Sequence, residues 1–282
     1  MKKEEVLPVE RAVEYMEAHL GGRLCLESVA EAVHYSPYHL HRMFARVAGM
    51  TVRDYAARRR LTQAAKFLAF SERPILEIAL DSGYTSQQAF SAAFKAMYKM
   101  PPAQYRARRA YYPLQLRLRL VPDAEERRFG PEDVRPAEAE DLAAWMDLVR
   151  GTIDGYPCFD GREYRKYLDR CLAEKRALIL KSGENAIGAM MFSYADANID
   201  FIGVHPQYRG QGVFRVLLEK LTRECLPQRE IQTTTFREGD RADPGYRREW
   251  KRMGFVEREW LVEFGYPTQR FVLTVPHGTE HR

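Results

Sequence analysis

Cysteine is scarce in this sequence of 282 residues. Its four copies are far apart and form no CxxC pair; they are Cys25, Cys158, Cys171 and Cys225. This spacing argues against a disulfide-stapled secreted scaffold and against a zinc site built on cysteine pairs. We expect free thiols in a reducing cytoplasm. His39 and His41 are two positions apart and do not share a helical face, so no metal site is expected either.

Long apolar runs are also missing. No stretch approaches the ~18 consecutive apolar residues that a membrane span needs. The start, Met1-Lys2-Lys3-Glu4-Glu5, is charged and has no apolar signal core behind it. Neither membrane insertion nor export is therefore expected. The length and the 45% hydrophobic content instead fit a chain with two ordinary packed domains.

The two ends of the chain differ in charge. Residues 1–110 contain 17 Lys and Arg against 11 Asp and Glu, a net charge of +6. The remaining 172 residues contain 27 basic and 28 acidic residues, a net charge of −1. A basic segment joined to a near-neutral one indicates that the first part binds a polyanion, although an ordinary solvated surface would show the same balance.

The run from Pro74 to Arg106, PILEIALDSGYTSQQAFSAAFKAMYKMPPAQYR, is the most informative stretch. It predicts a helix, a turn at Gly83, a second helix capped by Ser86 and a stop at two prolines. Apolar residues recur at helical spacing, with Phe90 and Phe94 four positions apart. The opposite face of the second helix carries polar residues that can bond base edges and phosphates: Gln87, Gln88, Ser91 and Lys95.

A similar unit lies upstream. Val9 to His19 is amphipathic, Leu26 to Val33 forms a short helix, and Ser36-Pro37 is a typical helix start before the helix from Tyr38. That helix turns Leu40, Met43 and Phe44 inward and Tyr38, His41 and Arg42 outward. Between the units, Thr51 to Phe70 predicts one long helix with a basic cluster at Arg58, Arg59 and Arg60.

These two units resemble the DNA-binding domain of the AraC family of transcription regulators over about residues 7–107. The features that carry the resemblance are the Gly-aromatic-x-Ser-Gln opening and the Pro-x-x-Tyr-Arg close. The resemblance implies seven helices, with two recognition helices in successive major grooves of double-stranded DNA. It places the base and backbone contacts at Tyr38, His41, Arg42, Gln87, Gln88 and Ser91. Ala92 and Ala93 stand where relatives often carry a basic residue, so the second helix is expected to dock mainly through phosphates.

We expect domain boundaries at 1–110 and 132–282, with a joint at 111–131. In the joint, leucines from Leu114 to Leu120 alternate with polar residues, which predicts a strand with a basic outer face. Whether this strand joins the sheet of the second domain is open. From Val134 onward the pattern becomes α/β, with strands and helices in alternation. The expected fold is therefore an all-α double helix-turn-helix domain followed by an α/β domain with a mixed sheet.

A glycine turn lies in the middle of the second domain. A strand ends at Val204, and the sequence His205-Pro-Gln-Tyr-Arg-Gly-Gln-Gly212 leads directly into a helix. Main-chain N–H groups at such a turn can surround a phosphate, and the helix dipole favours the anion. The motif, followed by Met253-Gly254-Phe255, resembles the acetyl-CoA motif of GNAT acyltransferases over about residues 132–276. A Rossmann dinucleotide site fits less well, since the third glycine is missing.

The GNAT resemblance implies acetyl-CoA as cofactor. Main chain at Ile202 and Val204 would bond the pantetheine. The pyrophosphate would be wrapped by Gln207, Arg209, Gly210, Gln211, Gly212 and Val213. The catalytic positions depart from the family pattern: Asp200 is the candidate base, and Tyr246 stands one turn before Trp250, which occupies the place of the usual tyrosine acid.

Two functions remain open at this point. The first is a cytoplasmic DNA-binding regulator whose GNAT-like domain senses a ligand or acetylates an amine. The second is an active N-acetyltransferase of a small amine or protein lysine, localised or regulated by its DNA-binding domain. The loop Gly155 to Asp160 is a candidate entrance for a cationic amine acceptor. The sequence predicts no membrane partner and leaves the operator, the acceptor and the oligomeric state undetermined.

Overall fold

The structure is a computed structural model that describes residues 3–22, 24–121, 128–152, 161–263 and 265–274. Its amino-terminal part is helical. The seven helices described there are α1 (Val6–Ala18), α2 (Leu26–Ala32), α3 (Pro37–Ala48), α4 (Val52–Phe70), α5 (Ile75–Asp81), α6 (Gln87–Tyr98) and α7 (Pro102–Arg108). The predicted all-α domain with two helix-turn-helix units is confirmed. The loop Gly155 to Asp160 lies outside the described residues.

Helix α4 connects two separate hydrophobic cores. Its first half packs Val52, Tyr55 and Ala56 with α1, α2 and α3. Its second half packs Leu61 and Leu68 with α5, α6 and α7. Each helix-turn-helix unit therefore has its own core, and the shared helix fixes the two units relative to each other.

The joint does not form the predicted strand. Residues 111–121 are irregular and lie along α4. Leu114 packs into the second core, whereas Leu118 and Leu120 pack into the first. The backbone is bonded by side chains of α4: the N–H of Leu114 donates to Thr62 Oγ1 at 3.1 Å, and that of Leu118 donates to Tyr55 Oη at 3.2 Å.

The carboxy-terminal part is a mixed α/β domain, as predicted. Its strands are β1 (Arg135–Pro136), β2 (Ala177–Ser182), β3 (Asn185–Phe192), β4 (Asn198–Val204), β5 (Ile231–Phe236), β6 (Val256–Glu263) and β7 (Tyr266–Leu273). Its helices are α8 (Leu142–Thr152), α9 (Gly161–Ala173), α10 (Val213–Lys220) and α11 (Tyr246–Arg252). A π-helical turn, Leu221–Cys225, continues α10.

The strands form one seven-stranded sheet in the order β1-β2-β3-β4-β5-β7-β6. Strands β4 and β5 pair in parallel, and the other neighbours are antiparallel. The parallel pair is short, since only Asn198 and Ile199 of β4 find partners on β5. From Asp200 onward β4 leaves β5, so the sheet opens into a cleft whose wall is the second half of β4. Among the described helices, none is both long and apolar enough to span a bilayer.

Candidate functional sites

The first candidate recognition helix, α3, is held firmly at both ends. Ser36 Oγ accepts a hydrogen bond from the His39 N–H at 3.3 Å, and Pro37 occupies the first helical position. At the other end Gly49 adopts a left-handed conformation (φ 69°), which glycine takes without strain. The apolar face is buried in the first core by Leu40, Met43, Phe44 and Val47. A well-fixed helix of this kind can present its outer face to a groove.

The structure brings the three predicted contact residues of α3 together on that outer face. Tyr38 is 72% exposed. His41 and Arg42 are also exposed. The guanidinium of Arg42 lies 5.6 Å from the centre of the Tyr38 ring, within range of a cation–π interaction. Arg42 is thus oriented by a neighbouring ring while its donors stay free to meet a base edge or a phosphate.

The second candidate recognition helix, α6, is anchored by aromatic packing. Phe90, Phe94 and Tyr98 are buried, and the last two rings are stacked with centroids 4.3 Å apart. Ser86 Oγ caps the helix by accepting from the Ala89 N–H at 3.2 Å. Three of the predicted contact residues are exposed, namely Gln87, Gln88 and Lys95, and the fourth, Ser91, is partly buried. The predicted set therefore shares an accessible side of α6.

The arginine cluster on α4 does not form an exposed basic patch. Arg58 and Arg59 are only 5% and 7% exposed. Arg59 forms a two-pronged salt bridge with Glu17, with both nitrogen–oxygen distances at 2.7 Å. Burial alone would raise the pKa of Glu17, but the hydrogen bonds from Arg59 and Tyr55 outweigh it and leave that pKa lowered. Arg60 donates to main-chain carbonyls of the α1–α2 connection. Arg59 and Arg60 therefore stabilise the amino-terminal domain from within.

The glycine turn between β4 and α10 has the geometry expected of an anion-binding loop. Gly210 and Gly212 have positive φ angles of 76° and 86°. Among the described residues other than Gly210 and its two chain neighbours, no heavy atom lies within 4 Å of the position that a Cβ of Gly210 would occupy, so the loop is open on that side. No described side chain caps the N-terminus of α10, which leaves its first N–H groups available to an anion. Val213 is buried beneath the loop and fixes it to the sheet.

Gln207 differs from its neighbours in the loop because its side chain faces the joint between the domains. The residue is fully buried. Its Oε1 accepts from the Val121 N–H at 2.7 Å, and its Nε2 donates to the Val121 carbonyl at 2.9 Å. Gln211 lies above it and donates to the Gln207 carbonyl at 2.7 Å. Only the main chain of Gln207 can therefore face a ligand in the loop.

Arg209 lies where the loop meets the amino-terminal domain. A Cβ added to Gly49, at the end of α3, would lie 3.2 Å from Arg209 Cδ and 3.2 Å from the Pro206 carbonyl oxygen. On its other side, the Arg209 guanidinium lies 5.8 Å from the centre of the Tyr246 ring. The loop thus packs directly against the C-terminal end of α3, the first candidate recognition helix.

Asp200 is the first residue of β4 beyond its pairing with β5 and is placed at the narrow end of the cleft. Its carboxylate accepts from Tyr167 Oη and from Asn198 Nδ2, both at 2.7 Å. Arg176 Nη1 lies 3.7 Å away. Burial and the Asp200 carboxylate raise the pKa of Tyr167 to about 12, so this phenol remains a donor at neutral pH. Ile202, which is partly buried, and the buried Val204 continue the same strand.

Tyr246 and Trp250 lie on α11 in different surroundings. Trp250 is 1% exposed and packs against Phe214 and Phe255, so its indole belongs to the core. Tyr246 is partly buried, and its main-chain N–H donates to Asp243 Oδ1 at 2.8 Å. Its ring lies 5.8 Å from the guanidinium carbon of Arg209, which belongs to the glycine loop.

Sequence reasoning missed the residues that join the two domains. Arg58 Nη2 donates to the carbonyls of Arg241 and Ala242 at 3.1 and 3.0 Å. Lys99 forms a salt bridge of 2.6 Å with Asp240, whose side chain is only 4% exposed. The partners are more than 140 positions apart in sequence. No local pattern could have paired them.

Comparisons with known proteins agree with this architecture. A model described as "Helix-turn-helix domain" matches residues 29–108, and one described as "Acetyltransferase (GNAT) family" matches residues 143–255. SoxS of Escherichia coli is 39% identical over 100 residues, which are 36% of this chain and 94% of that protein. Rob of Salmonella typhimurium is 44% identical over 92 residues, and YbfP of Bacillus subtilis is 38% identical over 98. The matches cover about a third of Rob and YbfP (32% and 33%).

Solved structures resemble each part separately. An AraC-type DNA-binding domain from Chromobacterium violaceum is 29% identical, with 37% of this chain and 93% of that chain covered and a TM-score of 0.36. A GNAT acetyltransferase from Bacillus cereus is 19% identical, with 50% and 95% covered and a TM-score of 0.40. On its sequence relatives, the chain belongs to the AraC family of transcription regulators, with an AraC-type DNA-binding domain fused to a GNAT domain.

Proposed function

We propose that the chain is a sequence-specific transcription regulator that binds double-stranded DNA through α3 and α6 and senses acetyl-CoA through its GNAT domain. Tyr38, His41 and Arg42 contact one major groove, with Arg42 able to bond a guanine through two donors. Gln87, Gln88 and Ser91 contact the next groove, and Lys95 binds a phosphate. The protein acts in the cytoplasm, where its DNA target is found.

The cofactor assignment rests on the loop and the cleft taken together. The open side of Gly210 admits a pyrophosphate to main-chain N–H groups at the uncapped start of α10. The second half of β4 has left β5, so main chain at Ile202 and Val204 is available to the amides of pantetheine. Arg209 adds a positive charge at the loop. Acetyl-CoA carries both a pyrophosphate and the amides of pantetheine, so one molecule fits the loop and the cleft together.

One observation favours sensing over turnover: the loop that would hold the pyrophosphate packs on the end of recognition helix α3. Arg209 and Pro206 lie against Gly49, and Gln207 binds the joint at Val121. A cofactor that orders or displaces Arg209 would change the packing of the loop against the C-terminal end of α3. The two events are then coupled, and each ligand changes the affinity of the other by the same factor.

A second candidate function is N-acetylation of a cationic amine, and the position of Asp200 on β4, where the strand leaves β5, favours it. Tyr246 of α11 is the candidate acid for the departing thiolate, but its ring lies beside Arg209, at the loop assigned to the pyrophosphate. Asp200, near the start of the cleft, is the candidate base for the amine. In this structure Asp200 is engaged by Tyr167 and Asn198 and lies near Arg176, which would have to release it.

Two measurements on the whole chain decide between these functions. The first is the affinity for a selected DNA site with and without acetyl-CoA. The second is release of coenzyme A from acetyl-CoA in the presence of a panel of amines. Sensing predicts a DNA affinity that changes several-fold with acetyl-CoA, without amine-dependent release. Amine-dependent release with an unchanged DNA affinity would establish the enzyme instead, and no effect in either measurement would reject both roles of the cofactor.

A further inference from the structure

A large cavity lies at the contact between the two domains. Its volume is about 1320 Å³. One wall comes from α3 and the first half of α4, at His41, Ala45, Arg53 and Arg58, and the other comes from residues 240–248 of the GNAT domain. The glycine loop is not part of its lining, although Gly49, which lines it, touches Arg209. The cavity is therefore next to the candidate acetyl-CoA loop but separate from it.

Arg58 gives this cavity an unbalanced buried charge. The residue is 5% exposed and lines the cavity. Two main-chain carbonyls, those of Arg241 and Ala242, accept from its Nη2, but among the described residues its Nη1 has no hydrogen-bond partner. It also takes part in none of the salt bridges found among the described residues. Burying a cation without an anion is costly, so an anion bound here would be strongly favoured.

The acidic residues in the cavity walls already form hydrogen bonds or salt bridges within the protein. Asp240 is paired with Lys99 at 2.6 Å and accepts from Tyr266 Oη at 2.8 Å. Asp243 accepts from the N–H groups that begin α11, and Asp54 accepts from Thr51 Oγ1 at 2.7 Å. Among the arginines of the lining, Arg53, Arg241 and Arg248 are exposed. Five arginines line the cavity against three aspartates, so the net charge of the lining is positive.

The rest of the lining is largely apolar. Leu24, Leu26, Met50, Ala57, Tyr84 and Met97 contribute to it. A ligand that fits this lining has an apolar body and one anionic group. Arg58 is almost entirely buried, so an anion has to enter the cavity to approach it.

We propose that this interdomain cavity is a second ligand site, which takes a small amphipathic anion with a carboxylate, sulfonate or phosphate near Arg58. The volume exceeds that of a typical drug-sized pocket, which is about 300–1,000 Å³, so a ligand with one or two rings fits. The anion can be an independent effector or the phosphate end of acetyl-CoA extending from the neighbouring loop. In both cases the anion contacts elements that support α3, so its binding directly affects the proposed DNA-binding helix.

The test uses anilinonaphthalene sulfonate, a fluorescent probe with an apolar body and one anionic group, titrated into the whole chain. The wild type should show one saturable site. Arg58→Met should weaken binding at least about tenfold, because it removes the cation while keeping an apolar side chain. Arg258→Met is the matched control, since Arg258 is exposed on β6 and does not line the cavity.

Arg58 also holds two carbonyls of the GNAT domain, so its replacement could disturb the fold. Ala57→Phe therefore provides an independent arm: it fills part of the cavity without removing a charge, and it should also weaken the probe. Saturable binding lost in both folded variants but kept in Arg258→Met supports the site. The proposal is rejected if the wild type shows no saturable binding, or if both variants fold and bind as the wild type does.

Coenzyme A separates the two sources of the anion. Displacement of the probe by coenzyme A in the wild type but not in Gly210→Val assigns the site to the phosphate end of the cofactor. Simultaneous binding of probe and coenzyme A assigns it to a separate effector. Both results support an anion site, and neither depends on whether the chain binds DNA or transfers an acetyl group.

Discussion

The side-chain amide of Gln207 forms two hydrogen bonds with the main chain of Val121. It accepts from the N–H at 2.7 Å and donates to the carbonyl at 2.9 Å. The two residues are 86 positions apart. Gln207 belongs to the candidate acetyl-CoA loop, and Val121 ends the described part of the joint that lies along α4. This pair therefore ties the candidate acetyl-CoA loop to the segment that lies along the DNA-binding domain.

Replacing Gln207 by leucine should lower stability. The change leaves the N–H and the carbonyl of the partly buried Val121 without their Gln207 partners, and a group that water does not reach costs about 1–3 kcal/mol when unsatisfied. We expect a fall of about 1–3 kcal/mol in the free energy of unfolding, measured by urea denaturation. Gln211→Leu is the matched control, since Gln211 makes one bond to a carbonyl and is partly exposed. Equal effects of the two changes would contradict the role of Gln207.

Gly210→Val should abolish acetyl-CoA binding. The added side chain projects into the open space where the pyrophosphate must approach the main chain. A residue other than glycine at positive φ also costs about 1–2 kcal/mol of backbone strain. Gly183→Val controls for that strain, since Gly183 has a φ of 57°, equally open surroundings and a place in the distant β2–β3 turn. Calorimetry should show binding in Gly183→Val and none in Gly210→Val; loss in both would assign the effect to strain.

The periodic parts of the sequence predicted the fold well. Phe90, Phe94 and Tyr98 have helical spacing, and they form the buried side of α6. The Ser36-Pro37 start and the glycines of the loop define local geometry that depends on a few neighbouring residues, and both are found as expected. Secondary structure follows the sequence where the responsible interactions are local.

The strand predicted in the joint was wrong because residues distant in sequence determine the structure of that segment. The alternating leucines from Leu114 to Leu120 have the period of a strand, but Thr62 and Tyr55 bond their backbone in place of a neighbouring strand. Alternation indicates only that every second side chain is buried, and an extended segment lying on a helix meets that condition. The burial of Arg58 and Arg59 also depends on distant residues, since their partners, among them Ala242 and Glu17, come from elsewhere in the chain.

Arg42→Ala should weaken binding of a specific DNA site by roughly 1–3 kcal/mol and relax its base preference. Arg42 is exposed on the outer side of α3 and oriented by Tyr38. Binding by the wild type should also weaken steeply with salt, because residues 1–110 carry a net charge of +6. Arg11→Ala, an exposed arginine on α1, is the control and should leave the base preference unchanged. Equal losses of Arg42→Ala on specific and random DNA would reduce Arg42 to a phosphate contact.

His205 should make the protein sensitive to mild acid. Burial, helped by the nearby positive charge of Arg209, lowers the pKa of His205 to about 4 in the folded state. An unfolded histidine takes up its proton near pH 6.5, so between about pH 6.5 and pH 4 the unfolded state binds more protons than the folded state. Stability therefore falls as the pH is lowered through this window, by up to about 3 kcal/mol.

His205→Gln should flatten this dependence, because glutamine has no proton to gain. The measurement is the free energy of urea unfolding from pH 7 to pH 4.5 for both proteins. His39→Gln, which replaces an exposed histidine on α3, is the control and should keep the slope of the wild type. Parallel curves for the wild type and His205→Gln would show that other groups cause the acid sensitivity.

Asp200→Asn tests whether Asp200 acts as the base in acetyl transfer to an amine or has only a structural role. If the GNAT domain is a sensor, Asp200 serves the network with Tyr167, Asn198 and Arg176, and the isosteric change costs only about 1 kcal/mol of stability. Acetyl-CoA affinity should then be unchanged, and neither protein should release coenzyme A when amines are added. Tyr246→Phe should behave in the same way.

An enzyme would give a different pattern. A neutral amine must lose its proton to a base as the acyl bond forms, and an amide at position 200 cannot accept it. The thiolate needs at most a weak acid, because a thiol with a pKa near 8.5 is a fair leaving group. Asp200→Asn would therefore remove amine-dependent release of coenzyme A, while Tyr246→Phe would only slow it. Release by the wild type that survives in Asp200→Asn would exclude Asp200 as the base and assign that role to another group along the cleft.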